Sequence, residues 1–345
     1  MPKRIRDYGI TIGKLPPGLR NSITDVDGVT VGHTTLDDGP VKTGVTAVLP
    51  HGGSLFREKL PAAVHVMNGF GKPAGTVQIE ELGTLETPIV LTNTLSVGTA
   101  SDALIDYMLE RHPGIGDTTG TVNPVVCECN DGYLNDIRGK HVQRKHVIKA
   151  IEEAKTQVAE GAVGAGTGMS CLGFKGGIGS ASRIVKIENR RYTLGVLVLS
   201  NFGRREDFLL NGMRVNPLIS DHEREEPDKG SIIVIAGTDA PLTEHQLKRV
   251  IKRTSVGIER TGSFIGNGSG EVAVGFSTAV RISHNPRRAF TNIKRIHENY
   301  IDLLFRAAAE STEEAILNSL VSAETTTGRK GHRRVSLTEY MHLIQ

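Results

Sequence analysis

Tryptophan is absent from this chain and aromatic residues make up only 4% of it, so no aromatic platform is available for stacking nucleic-acid bases. An excess of one charge is lacking as well: 41 Lys and Arg stand against 38 Asp and Glu, a formal net charge of +3. The basic pairs Arg190-Arg191, Arg287-Arg288 and Arg333-Arg334 are short and scattered, which reads as solvated turns and excludes a nucleic-acid footprint. No apolar run approaches the roughly 20 residues of a membrane span. The first residues, Met1-Pro2-Lys3-Arg4-Ile5-Arg6-Asp7, are charged with no apolar stretch behind them, so no secretion signal is expected. Cysteine is scarce: Cys127, Cys129 and Cys171 form no C-x-x-C, which signals neither a disulfide framework nor a zinc ribbon. Together these absences predict a soluble cytoplasmic protein with no membrane or nucleic-acid partner.

Cofactor signatures are missing too. There is no H-E-x-x-H, no G-x-x-x-x-G-K-[ST] and no convincing dinucleotide fingerprint after a strand, so neither a metal nor a cofactor is expected. Gly268-Ser269-Gly270 is only a partial echo of the G-x-S-x-G elbow of α/β-hydrolases. The run Gly173-Phe174-Lys175-Gly176-Gly177-Ile178-Gly179-Ser180 offers backbone amides that can cradle an anion, although a plain turn is the favoured reading. That run sustains one rival to any enzymatic reading, a non-catalytic binder of small ligands or anions.

What is present in quantity is glycine, 40 residues of 345 against an average usage of about 7%, which predicts tight turns and clefts lined by backbone. Val29-Thr30-Val31, Val45 to Val48, Ala62 to Met67 and Ile89 to Leu91 read as strands. Leu104, Tyr107 and Met108 keep helical spacing, and a second helix is expected from His146 to Ala159. Pro124 suits the start of a strand through Val125 and Val126, whose polar end carries Glu128, Asn130, Asp131 and Tyr133. Residues 203 to 230 are polar enough to predict an exposed connector, after which Ser231 to Ala236 reads as a strand covered on both faces. Thr243 with Gln246, and Ser311 with Glu314, each match the capping box at a helix start.

The junction Lys229-Gly230-Ser231 is the feature with chemical potential, although alone it is an ordinary loop ending. If the peptide bond before Ser231 is cut, a hydroxyl and a new α-amine occupy one residue. An α-amine has an ordinary pKa of about 8, so it can deprotonate that hydroxyl near neutral pH without a histidine. Ser269 and Glu271 stand two apart, on one face if the segment is extended, and can form a relay to Ser231, although on this segment alone a glycine turn with a surface glutamate is the favoured reading. Asn201 can donate its amide, and Tyr133 its hydroxyl, to an oxyanion.

Several ordered segments together resemble the L-aminopeptidase/D-Ala-esterase/amidase family, which includes the β-aminopeptidases. They are Ile23-Thr24-Asp25-Val26 with Val31-Gly32-His33, Leu91-Thr92-Asn93-Thr94, Asn130 to Asp136, Asn201-Phe202-Gly203, Gly230-Ser231-Ile232-Ile233 with Thr238 to Leu242, and Gly268-Ser269-Gly270-Glu271. The resemblance implies an α+β fold, a four-layer αββα sandwich of the N-terminal-nucleophile type. It implies one catalytic domain that cuts itself into residues 1–230 and 231–345, an α and a β chain that remain associated. It implies Ser231 as nucleophile, Ser269 and Glu271 as its supporting pair, Asn201 and Tyr133 as oxyanion donors, and Glu128 as anchor for the free amine of a peptide or amino-acid amide. Copies of the αβ unit are expected to assemble into a homo-oligomer. The related ornithine acetyltransferases use threonine as nucleophile, so Ser231 argues for hydrolysis over acetyl transfer.

Overall fold

The computed structural model describes residues 3–216 and 230–344. Two sheets stack face to face, with helices on both outer sides. The first sheet has four strands in the order β1 (Thr30–Asp38), β2 (Val41–Leu49), β4 (Ile89–Asn93) and β5 (Val125–Cys129). The second carries β3 (Glu58–Gly69), β9 (Gly270–Ser277), β8 (Ser231–Thr238), β7 (Arg190–Asn201) and β6 (Gly177–Ile187) in that spatial order, with two-residue strands pairing along the first half of β3. Helices α1 (Val97–Arg111) and α2 (Arg144–Glu152) cover the first sheet, and α3 (Glu244–Ile251) and α4 (Asp302–Val321) cover the second.

Alternation along each strand assigns the layers. In β8, Ile233 and Ile235 face the space between the sheets, where they meet Cys127, Cys129 and Leu91, whereas Ile232, Val234 and Ala236 pack on Leu247, Val250 and the apolar side of α4. In the four-stranded sheet Val90 and Val126 turn the other way, onto Ala103, Leu104 and Val147. Each sheet is thus buried on both faces, and the expected αββα sandwich is the architecture found. The capping box at Thr243 is present, the Thr243 hydroxyl accepting from the Gln246 amide.

Three expectations are corrected. The second helix ends at Glu152 rather than near Ala159, because Lys155 leaves it to form a two-bond bridge with Val31. Ser311 and Glu314 cap nothing: they lie in the middle of α4, fully buried, and Glu314 is held there by Arg6 and Arg183. A Ser-x-x-Glu spacing serves equally for a buried helix whose carboxylate meets cations from elsewhere. The stretch read as an exposed connector is in its described part a packed hairpin, with Phe208, Leu210 and Val215 in the core; Asp221 to Lys229 lie outside the described residues. The glycine-rich run at 173–180 leads into β6, and its amides at Gly176, Ile178 and Ser180 are engaged by Met169, Gly161 and Glu160.

Candidate active site

Strand directions bring three termini into one row. β7 runs antiparallel to β8 and ends at Asn201, opposite Ser231; β9 runs parallel to β8 and starts at Gly270, beside Ser231. On the far side of β9, Gly69 at the end of β3 pairs with Gly270. Ser231 is 5% exposed at this edge of the sheet, and its parity with Ile233 directs it toward the interior layer. The Ser231 Oγ accepts a hydrogen bond from the Gly270 amide at 3.3 Å. The same amide donates to the Gly230 carbonyl, also at 3.3 Å.

Ser269 and Glu271 flank that amide. Both are fully buried, and the Ser269 hydroxyl donates to Glu271 Oε1, so the pair read from the sequence is formed. The loop before it is pinned by one side chain that the sequence did not advertise: Asn68 donates its amide to the carbonyls of Gly266, Asn267 and Ser269. Asn201 is fixed at both ends, its Oδ1 accepting from the Ser170 amide at 2.8 Å and its Nδ2 donating to the Asn130 carbonyl at 3.0 Å. Gly230 packs so tightly against this strand end that a Cβ would fall 2.0 Å from the Asn201 carbonyl oxygen, so no residue with a side chain fits there without displacing β7.

The first sheet supplies Glu128 from the end of β5. The segment before the short helix Thr76–Leu82 bends along this strand, Ala74 exchanging two backbone bonds with Val126, and Lys72 donates its amide to Glu128 Oε1 at 2.8 Å. The Thr94 hydroxyl donates to the other carboxylate oxygen. A Cβ on Gly71 would lie 3.5 Å from Glu128 Oε1 and 3.9 Å from the Gly270 Cα, which places the carboxylate one glycine away from the row containing Ser231. The neighbouring cysteines are inert. Burial pushes the Cys127 thiol up to about 12, and burial with the nearby Glu128 charge raises Cys129 well above the ordinary thiol range.

Tyr133 is tied to the C-terminal part of the chain. Arg334 donates to its hydroxyl at 3.1 Å and lies 3.8 Å over its ring, His332 stacks on the ring at 4.7 Å, and the Tyr133 carbonyl meets His332 Nδ1. A phenol that accepts from a cation is a stronger donor in turn. Among the described residues no group of three His, Cys, Asp or Glu is placed to hold a metal ion, and no helix is long and apolar enough to cross a membrane.

Residues 21–334 match the model of peptidase family S58. The β-peptidyl aminopeptidase BapA of Sphingosinicella microcystinivorans is 42% identical, over 95% of this chain and 88% of that protein. The PH0078 protein of Pyrococcus horikoshii superimposes with a TM-score of 0.95 at 54% identity, over 99% of this chain and 98% of the other. The L-aminopeptidase D-Ala-esterase/amidase of Ochrobactrum anthropi, described as a prototype for the serine aminopeptidases and a variant of the Ntn hydrolase fold, superimposes with a TM-score of 0.91 at 37% identity, over 99% of both chains.

Proposed function

The chain belongs to peptidase family S58, and from that premise we propose that it is a self-processing serine aminopeptidase or amidase whose working residue is Ser231. It is a hydrolase of the N-terminal-nucleophile type. The single domain is cut between Gly230 and Ser231, and the pieces 1–230 and 231–345 remain together because β8 pairs with β7 and β9 pairs with β3, each across the cut. The observation that carries this reading is the row Asn201, Ser231 and Gly270 at one sheet edge, with Ser269 and Glu271 buried beside it.

In turnover the freed Ser231 amine takes the hydroxyl proton, and Oγ attacks the substrate carbonyl. Asn201 and Tyr133 receive the developing oxyanion, and the leaving amine departs with the proton. Water then hydrolyses the ester on Ser231. Glu128 pairs with the ammonium group of a peptide or amino-acid amide and so sets which carbonyl reaches Oγ. Amide, ester and β-peptide substrates fall within this chemistry. The αβ units assemble into a homo-oligomer, a reading supported by the exposed apolar side chains Phe290 and Ile293, and free, buried thiols suit a reducing cytoplasm.

The test is direct. Scaling 37.2 kDa by 230 and by 115 of 345 residues gives fragments of about 25 and 12 kDa, the smaller beginning Ser-Ile-Ile-Val. Ser231→Ala should leave one inactive chain, since one hydroxyl serves both cleavage and turnover. A new N-terminus elsewhere, or a cut Ser231→Ala chain, refutes the assignment.

A further inference from the structure

The Gly270 amide faces two oxygens of the junction at once, the Gly230 carbonyl and the Ser231 hydroxyl, each at 3.3 Å. In the uncut chain the Gly230 carbonyl is the group that Ser231 must attack. The Asn201 amide, the donor assigned above to the oxyanion of turnover, is engaged with the Asn130 carbonyl at 3.0 Å. We propose that self-cleavage and turnover use different oxyanion donors, and that the Gly270 N–H is the donor for self-cleavage. This rests on the reading of Gly230-Ser231 as the bond that is cut.

The step balances as follows. Ser231 Oγ forms a bond to the Gly230 carbonyl carbon, whose oxygen takes up negative charge against the Gly270 N–H. The carbon–nitrogen bond between the two residues breaks, and the hydroxyl proton finishes on the Ser231 amine. Water hydrolyses the resulting ester, leaving a carboxylate on Gly230 and restoring the hydroxyl. A backbone amide suits the role because its donor is fixed by the sheet and needs no reorganisation as charge develops. Parallel pairing of β8 and β9 sets Gly270 beside Ser231, and Asn68 fixes the turn just before it.

Gly270 itself is constrained. A Cβ there would lie 3.0 Å from Gly71 N and from the Phe70 carbonyl group, so the glycine lets the β3 turn close over the amide. Once the chain is cut, the Gly230 carbonyl can withdraw, and the same N–H remains on Ser231 Oγ, where it stabilises the alkoxide. One donor thus serves the carbonyl during maturation and the nucleophile afterwards.

The test follows cleavage after a pulse of cell-free synthesis, comparing the native chain, Asn201→Ala and Gly270→Pro, with melting curves to verify folding. Losing a single oxyanion donor costs about 100-fold or more, so Gly270→Pro should cut at least that much more slowly. Asn201→Ala should still cut at 230, within about tenfold of the native rate. Should Gly270→Pro fail to fold, Asn201→Ala decides together with one amide signal. Ser269-Gly270 is the single Ser-Gly dipeptide of the sequence, so ¹³C-carbonyl serine with ¹⁵N glycine isolates the Gly270 N–H. That signal should move as the native chain, labelled during cell-free synthesis, passes from uncut to cut. An Asn201→Ala chain that stays whole, a Gly270→Pro chain that cuts at the native rate, or an amide unmoved by cleavage overturns the assignment. A native chain that is never cut at 230 removes the premise instead, and an Asn201→Ala protein that cuts yet keeps full activity refutes only the role of Asn201 in turnover.

Discussion

Cys129 Sγ lies 3.4 Å from the Ser231 carbonyl oxygen and 3.5 Å from that of Leu199, so a thiol of the four-stranded sheet bonds to the strand end that carries the nucleophile. The contact crosses the dry layer between the sheets, where Cys129 is fully buried. Cys129→Ala should lower unfolding free energy by about 1–3 kcal/mol, through lost contacts and two carbonyls left without this donor. Self-cleavage should slow with it, and Cys129→Ser, which keeps a donor, should recover most of the rate. Denaturant curves and fragment gels check both. Iodoacetamide should label none of the three cysteines until the protein unfolds, since all are buried.

Glu128 separates binding from maturation. Glu128→Gln should lose roughly 5- to 150-fold in kcat/KM on free-amine substrates, equivalent to about 1–3 kcal/mol, yet still cut itself at 230, because the precursor has no free amine to place there. N-acetylated substrates should be poor for the native enzyme and no worse for the variant. Thr94→Val, which removes the hydroxyl bound to Glu128, should raise KM in the same direction by less. Equal rates on free and acetylated amides would contradict the anchoring role.

The buried ion network behind the second sheet should dominate stability. Arg183 is fully buried between Glu314, at 2.7 Å, and Glu310, at 3.2 Å, and Arg6 donates to both oxygens of Glu314 at 2.6 and 2.7 Å. Burial alone would raise the Glu314 carboxyl, but hydrogen bonds from Arg6 and the charge of Arg183 outweigh it and hold the group below its ordinary value. Glu314→Ala leaves Arg183 short of a countercharge in the core and should cost about 3–5 kcal/mol. With a folded pKa lowered from 4.5, the native contribution is present above that pH and is lost as pH falls, which acid titration of the melting temperature would reveal.

Asp131 has the opposite sign. Burial, only partly offset by hydrogen bonds from Thr43 and Asn135, pushes its carboxyl up to about 7 from 3.8. Asp131 Oδ2 and Asn93 Oδ1 are both buried without a hydrogen-bond partner among the described residues. Its stabilising contribution is complete below pH 3.8 and is lost as pH rises through about 7. Asp131→Asn, which carries permanent N–H donors, should therefore melt higher than the native protein at pH 8 and nearly level with it at pH 4. A difference of reversed sign would refute this account.

The sequence by itself determined that Ser231 to Ala236 is a strand covered on both sides, because it is apolar on both faces, whereas the four-layer sandwich was legible only through the family resemblance. Spacing offered Ser269 and Glu271 as a possible pair, the family resemblance made it the expected one, and the structure forms it. The family was legible as well, through ordered short segments that span most of the chain. What only the tertiary structure decided are relations between residues far apart in sequence. The Gly270 amide at Ser231 depends on the parallel register of β8 and β9, 39 positions apart, and Asn68 reaches its three carbonyls from about 200 positions away. The helix start misread at Ser311 has the same cause: local spacing reports which side chains are neighbours along one element. Whether a carboxylate there meets its own helix end or an arginine on another strand is settled by how the layers pack.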